Sequence, residues 1–127
     1  MPCADLTAAD RTTWHICWQA AAGRDLFADP SLLARVRGRL LDAHSRRGRV
    51  LVDYLMLPGE IHVIAQLLPA DSVGSIARAI GNVVARWVRA TQPVRSPVFA
   101  GPFRAHRIED ADALRHELRM LAWRPVF

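Results

Sequence analysis

The sequence predicts an α+β domain: a four-stranded antiparallel sheet with two main helices on one face and a further helix at the C-terminal end. Three observations lead there. Apolar and polar residues alternate over 12–18 and 60–67, the two-residue period of a half-buried strand. Apolar residues recur at helical spacing over 30–46, 73–88 and 111–122. Pro58-Gly59 separates two apolar runs, a tight reversal in which Pro fixes φ and Gly tolerates a positive φ. The order is strand, helix, strand, strand, helix, strand, helix within 127 residues, about one domain.

Residues 1–10 read as a flexible lead-in. Trp14, Ile16 and Trp18 then share one strand face, and Thr13, His15 and Cys17 the other. Asp29 is suited to cap the first helix and Pro30 to start it. Leu32, Leu33, Val36, Leu40 and Ala43 supply its buried stripe. Gly38 weakens that helix by about 1 kcal/mol relative to Ala, so a packing reason or a bend is expected there. Gly48 ends the segment. In the second strand of the hairpin, Ile61, Val63, Ala65 and Leu67 face one way and Glu60, His62, Ile64 and Gln66 the other.

Asp71 or Ser72 caps the second helix, whose apolar face holds Val73, Ile76, Ala77, Ile80, Val84, Trp87 and Val88. Residues 91–102 form a loop, and 103–108 a short fourth strand. Asp110 caps the last helix, with Leu114, Leu118 and Leu121 inward. Arg124 precedes Pro125, which stops it.

The formal net charge is +5 and the pI about 10.9, a balance that favours a polyanionic partner such as nucleic acid. All 17 basic residues are Arg, which suits bidentate phosphate contacts, although genomic base composition explains such a swap as well. Two cysteines, Cys3 and Cys17, suggest neither a disulfide framework nor a zinc site. No apolar run approaches the roughly 20 residues that span a bilayer, and the expectation is a reduced, cytoplasmic protein.

Glu60 and His62 sit two apart on one strand face, where a carboxylate and an imidazole can converge on a metal ion or a phosphate. An exposed polar face at a sheet end gives the same pattern. Arg46, Arg47 and Arg49 cluster at the end of the first helix, and Arg78, Arg86 and Arg89 lie on the polar side of the second. Together they can neutralise phosphates. Arg35, Arg39 and Arg46 also form a stripe, which Asp42 explains as helix-surface ion pairing. His116 and Met120 are one turn apart on the last helix. Trp123 and Phe99 can stack an unpaired base or pack in a core. The remaining histidines, His15, His44 and His106, have no spacing that singles them out.

Tyr54-Leu55-Met56-Leu57-Pro58-Gly59-Glu60-Ile61-His62-Val63 resembles the signature strand pair of the IS200-like, single-tyrosine HUH transposases, especially their repeat-associated branch. The resemblance extends to Trp14–Trp18 with Gly23–Phe27, and to Val98–Ala105 with Glu109-Asp110 and Arg119–Val126. It implies a ferredoxin-like sheet whose closing helix carries a nucleophilic tyrosine and whose hairpin carries two metal-binding histidines. Here Glu60 stands at the first histidine, His62 at the second and Gly59 at a usual Asn. Met120 occupies the tyrosine position and Arg124 that of a metal-holding Asn. A thioether forms no phosphodiester link, so no catalytic residue is expected.

Glu60 and His62, with Gln66, can still hold Mg²⁺ or Mn²⁺, because carboxylate oxygen replaces imidazole for a hard ion. The resemblance thus implies a degenerate member that binds single-stranded or hairpin DNA without cutting it and requires no cofactor. Two readings compete with it. One is an active metal-dependent nicking enzyme with rearranged residues, and the other is a homodimeric interaction module using its exposed sheet edges.

Overall fold

A computed structural model describes residues 11–92 and 96–123. The expected lead-in, Cys3, Arg124 and Pro125 lie outside the described residues. The elements are β1 (Thr12–Gln19), α1 (Ser31–His44), β2 (Val50–Leu57), β3 (Glu60–Leu67), α2 (Val73–Thr91), β4 (Arg104–Ile108) and α3 (Ala111–Ala122). The four strands form one antiparallel sheet in the order β2-β3-β1-β4, the ferredoxin-like arrangement that the sequence implies.

Alternation decides which face each strand buries. Ile16 and Trp18 of β1 and Ile61, Val63, Ala65 and Leu67 of β3 meet Leu32, Val36 and Leu40 of α1 and Ala77, Ile80, Val84 and Val88 of α2 in the main core. The opposite face carries a smaller cluster, Ile64, Ile108 and Leu121, flanked by Val52, Leu55, Leu114 and Leu118. So α3 covers the face that α1 and α2 leave open. In β2 the pairing slips between Leu51 and Asp53. That bulge puts Leu51 and Tyr54, three apart, on the same helix-side core.

Helix starts follow local chemistry. Asp29 Oδ1 accepts the Ser31 N–H at 3.0 Å, and Pro30 already has helical dihedrals (φ −63°, ψ −19°). Hydrogen bonds from the Ser31 hydroxyl and N–H hold the Asp29 carboxyl below its usual pKa. Ser72, rather than Asp71, caps α2 by accepting from Ser75 N–H. Asp110 caps α3 through Ala113 N–H at 2.8 Å.

Four details depart from the expected pattern. Gly59 does not take a positive φ; among the described glycines Gly23 and Gly48 do. The α1 stripe runs Leu32, Val36, Leu40, His44, a strict four-residue step, so Leu33 turns to solvent and Ala43 is half-buried. Gly38 has no packing role, since a Cβ there would meet nothing within 4 Å. Gly38→Ala is therefore expected to raise the unfolding free energy by about 0.5–1 kcal/mol, read as a higher urea midpoint.

His44 is fully buried at the end of α1. Its Nδ1–H donates to Leu40 O at 2.8 Å, and its Nε2 has no partner among the described residues. Burial lowers its pKa, the Leu40 bond opposes this, and Arg49 lowers it further, with a net fall. The depressed pKa means that His44 favours the folded state above about pH 6.5, and that this contribution fades as pH falls toward the folded-state pKa. His44→Leu is expected to flatten that loss: urea midpoints of the two proteins should draw apart, in favour of the variant, as pH drops below about 6.5.

Candidate functional site on the α3 face of the sheet

On the α3 side, period-two alternation aims His15 and Cys17 of β1, Glu60 and His62 of β3, and His106 of β4 the same way. Register then sets them side by side. Cys17 pairs with His62 across β1–β3, and His15 pairs with His106 across β1–β4. On α3, Glu117 falls within the Leu114, Leu118, Leu121 stripe and so reaches the same surface.

These six residues form one connected polar line. His106 Nε2 lies 2.5 Å and His15 Nδ1 2.7 Å from the same Glu117 oxygen. His15 Nε2 lies 2.9 Å from His62 Nδ1. His62 Nε2 lies 3.4 Å from Glu60 Oε1 and 3.8 Å from Cys17 Sγ. The outer end is wet, with the His106 side chain 61% exposed, whereas His62 is buried. Burial pushes the Glu117 carboxyl up, but hydrogen bonds from His15 and His106 outweigh it, and its pKa ends below the usual range.

An ionised Glu117 only accepts, so His15 carries its proton on Nδ1 and His106 on Nε2. With His15 neutral, its Nε2 accepts the Nδ1–H of His62. The Nε2 lone pair of His62 is then turned toward Glu60 and Cys17. Hydrogen bonding through a second ring to a carboxylate is the kind of support that fixes the tautomer of a metal-ligating histidine.

Glu60, His62 and Cys17 offer three ligand atoms within 4.8 Å of one another. Cys17 and Glu60 border a cleft of about 560 Å³ lined also by Gln19, Phe103 and Arg104. Glu60 and His62 therefore come together as the sequence suggests, with Cys17 as a partner that it did not. Gln66 does not join them: it pairs with Thr13 at the far end of β3, about 13 Å along the strand from His62. A thiol beside imidazole and carboxylate fits a borderline transition metal better than Mg²⁺, which takes oxygen ligands.

Neither Tyr54 of β2 nor His116 of α3 enters this site. Tyr54 packs on the opposite, helix-side core. His116 is exposed. Met120 is 53% and Trp123 83% exposed on α3, whereas Phe99 packs against the main core.

The arginines divide. Arg49 donates to both oxygens of Asp71 at 2.9 and 3.1 Å and to Ala43 O at 2.8 Å, tying the end of α1 to the β3–α2 loop. Asp71 also accepts Leu68 N–H, and the Arg49 hydrogen bond is the first cause of its lowered pKa. Arg46 pairs with Asp42 at 2.7 Å, and Arg35 lies over the Trp87 ring. Arg47, Arg78, Arg86 and Arg89 are exposed. Arg78 and Arg89 flank a groove of about 510 Å³ between α2 and the 99–103 loop, with Phe99 and Phe103 on its other wall. Arg39, Arg46 and Arg47 line a second groove of about 330 Å³ between α1 and α2.

No protein-family model and no curated protein matches the chain in sequence. Among solved structures, a candidate transposase from Deinococcus radiodurans R1 is similar at a TM-score of 0.62 and 14% identity, over 87% of either chain. A REP-associated tyrosine transposase bound to a REP hairpin is similar at a TM-score of 0.66 and 17% identity. The chain shares its fold with these two proteins. The match to the hairpin-bound protein covers 87% of this chain and 64% of that one, so this chain spans less than two thirds of it. Within that fold, β3 carries Glu60 and His62 at the sheet centre and α3 carries Met120. No helix among the described residues is long and apolar enough to cross a membrane.

Proposed function

We propose that this chain is a nucleic-acid-binding domain that holds single-stranded or hairpin DNA without cutting it by the tyrosine route. Met120 carries the reading. It is a thioether, exposed on α3, at the position where the resemblance places the nucleophilic phenol. The chain's single tyrosine, Tyr54, faces the other side of the sheet.

The shared fold with a hairpin-bound transposase supports DNA as the partner, and so does the net charge of +5. Arg78 and Arg89, beside Phe99 and Phe103, combine phosphate neutralisation with aromatic edges at which an unpaired base can stack. Arg86 and Arg47 extend the positive surface. Arg46 adds less because Asp42 offsets it, and Arg49 holds the loop instead. No metal takes part in this contact.

A labelled hairpin DNA incubated with the protein, with Mn²⁺ or with EDTA, tests it. Retention on the protein is expected in both, weakening steeply with added salt, with the DNA intact. No retention at low salt, or a nicked product in Mn²⁺, refutes the reading.

A further inference from the structure

We propose that His15, His106 and Glu117 form a divalent transition-metal site, distinct from the Glu60–His62 pair, that clamps α3 to the sheet. The proposal does not depend on the DNA-binding reading. The ligand atoms are His15 Nδ1, His106 Nε2 and a Glu117 carboxylate oxygen, all within 4.8 Å of one another. They come from three different elements, β1, β4 and α3.

Two imidazoles and one carboxylate are the donor set of a Zn²⁺, Co²⁺ or Ni²⁺ site with one position left to water. It is a poor set for Mg²⁺. The edge strand supplies the entry path, because the His106 side chain is 61% exposed. Both rings donate protons to the same Glu117 oxygen, at 2.7 and 2.5 Å. A cation replaces both protons and spreads the ligand atoms to roughly 3.3 Å apart, the edge of a tetrahedron with bonds near 2.0 Å.

The gain falls on α3. Its apolar contact with the sheet is small: among the described residues, Leu121 is the buried α3 side chain in the Ile64–Ile108 cluster. Glu117 sits in the middle of the same stripe, so an ion there joins the helix to both β1 and β4.

Geometry also makes the two clusters exclude each other. When a cation takes His15 Nδ1, the neutral ring carries its proton on Nε2, which faces His62 Nδ1 at 2.9 Å. His62 must then carry its own proton on Nε2, toward Glu60 and Cys17. That proton occupies the lone pair a metal would need in the Cys17–Glu60–His62 cluster. One ion per chain follows.

The full chain, stripped with chelator, is titrated with Zn²⁺ by calorimetry and with Co²⁺ by absorption spectroscopy, and its thermal midpoint is measured with and without Zn²⁺. Expected are one ion per chain, a Co²⁺ spectrum without thiolate charge transfer, and a midpoint raised by Zn²⁺ and restored by EDTA. His106→Ala and Glu117→Gln should each weaken binding by at least about tenfold. Circular dichroism confirms that both variants are folded; His106 is an exposed edge residue, so it remains informative if Glu117→Gln is not. Absence of binding, two ions per chain, a thiolate charge-transfer band, or affinity that follows Cys17 and Glu60 instead of His106 and Glu117 overturns the proposal.

Discussion

Trp18→Ala is expected to lower the unfolding free energy by about 4 kcal/mol, the range for truncating a large buried aromatic. Trp18 is 2% exposed at the centre of the main core. Its ring fills space against α2 that Gly81 leaves open: a Cβ at Gly81 would lie 3.4 Å from the indole nitrogen and 3.5 Å from Cδ1. The indole N–H donates to Ala77 O at 3.0 Å, so the ring is pinned by its polar end as well as by its bulk. Alanine removes both and leaves a cavity that neither the sheet nor a helix can close by small shifts. Trp18→Phe keeps most of the bulk and loses the hydrogen bond, so its cost should be about 1–2 kcal/mol. Urea unfolding separates the two: the midpoint should fall in that order with the slope unchanged. A loss below about 2 kcal/mol for the alanine variant would mean that α2 can settle onto the sheet.

The core was legible because its signals are local. Alternation in β1 and β3 and the apolar stripes of α2 and α3 assign faces without knowledge of the partner. Where the periods failed, a non-local cause intervened. The β2 bulge is set by pairing with β3, and nothing in Leu51-Val52-Asp53-Tyr54 announces it. In α1 the buried stripe takes in His44 and leaves Leu33 in solvent. Apolarity alone points the other way.

The candidate site was half legible for the same reason. Glu60 and His62 lie on one strand, so their spacing reveals them. His15 and Cys17 show the same spacing on β1, but only the β1–β3 and β1–β4 register brings them to His62 and His106. Glu117 was readable in principle: it lies three residues after Leu114 and four before Leu121, inside the buried stripe of α3. His116 attracts attention because it shares a face with Met120, yet that face is turned to solvent. The arginine cluster at 46–49 shows the opposite error. Within the local sequence it lacks acidic partners apart from Asp42, whereas Asp71, 22 residues on, pairs with Arg49 through both carboxylate oxygens.

That division among the arginines gives the second large effect. Replacing Arg78 and Arg89 together by Gln should weaken hairpin DNA binding by at least about tenfold at moderate salt and reduce the salt slope by about 1.5–2, close to one released counterion per lost phosphate contact. Both side chains are exposed at the rim of the α2 groove, so fold stability should move by less than about 0.5 kcal/mol. Arg49→Gln should do the reverse. Its guanidinium joins Ala43 O to a carboxylate that also caps Leu68 N–H, with both side chains of the pair less than a fifth exposed. Removing it leaves Asp71 charged and half-paired, at a cost of about 2–3 kcal/mol. The salt slope of whatever DNA binding remains should stay that of the parent protein. Measuring affinity across a salt series beside urea midpoints for the two variants therefore sorts phosphate-binding cations from structural ones. If Arg49→Gln lowers the slope while Arg78→Gln with Arg89→Gln does not, the DNA path runs past the end of α1 and away from the α2 groove.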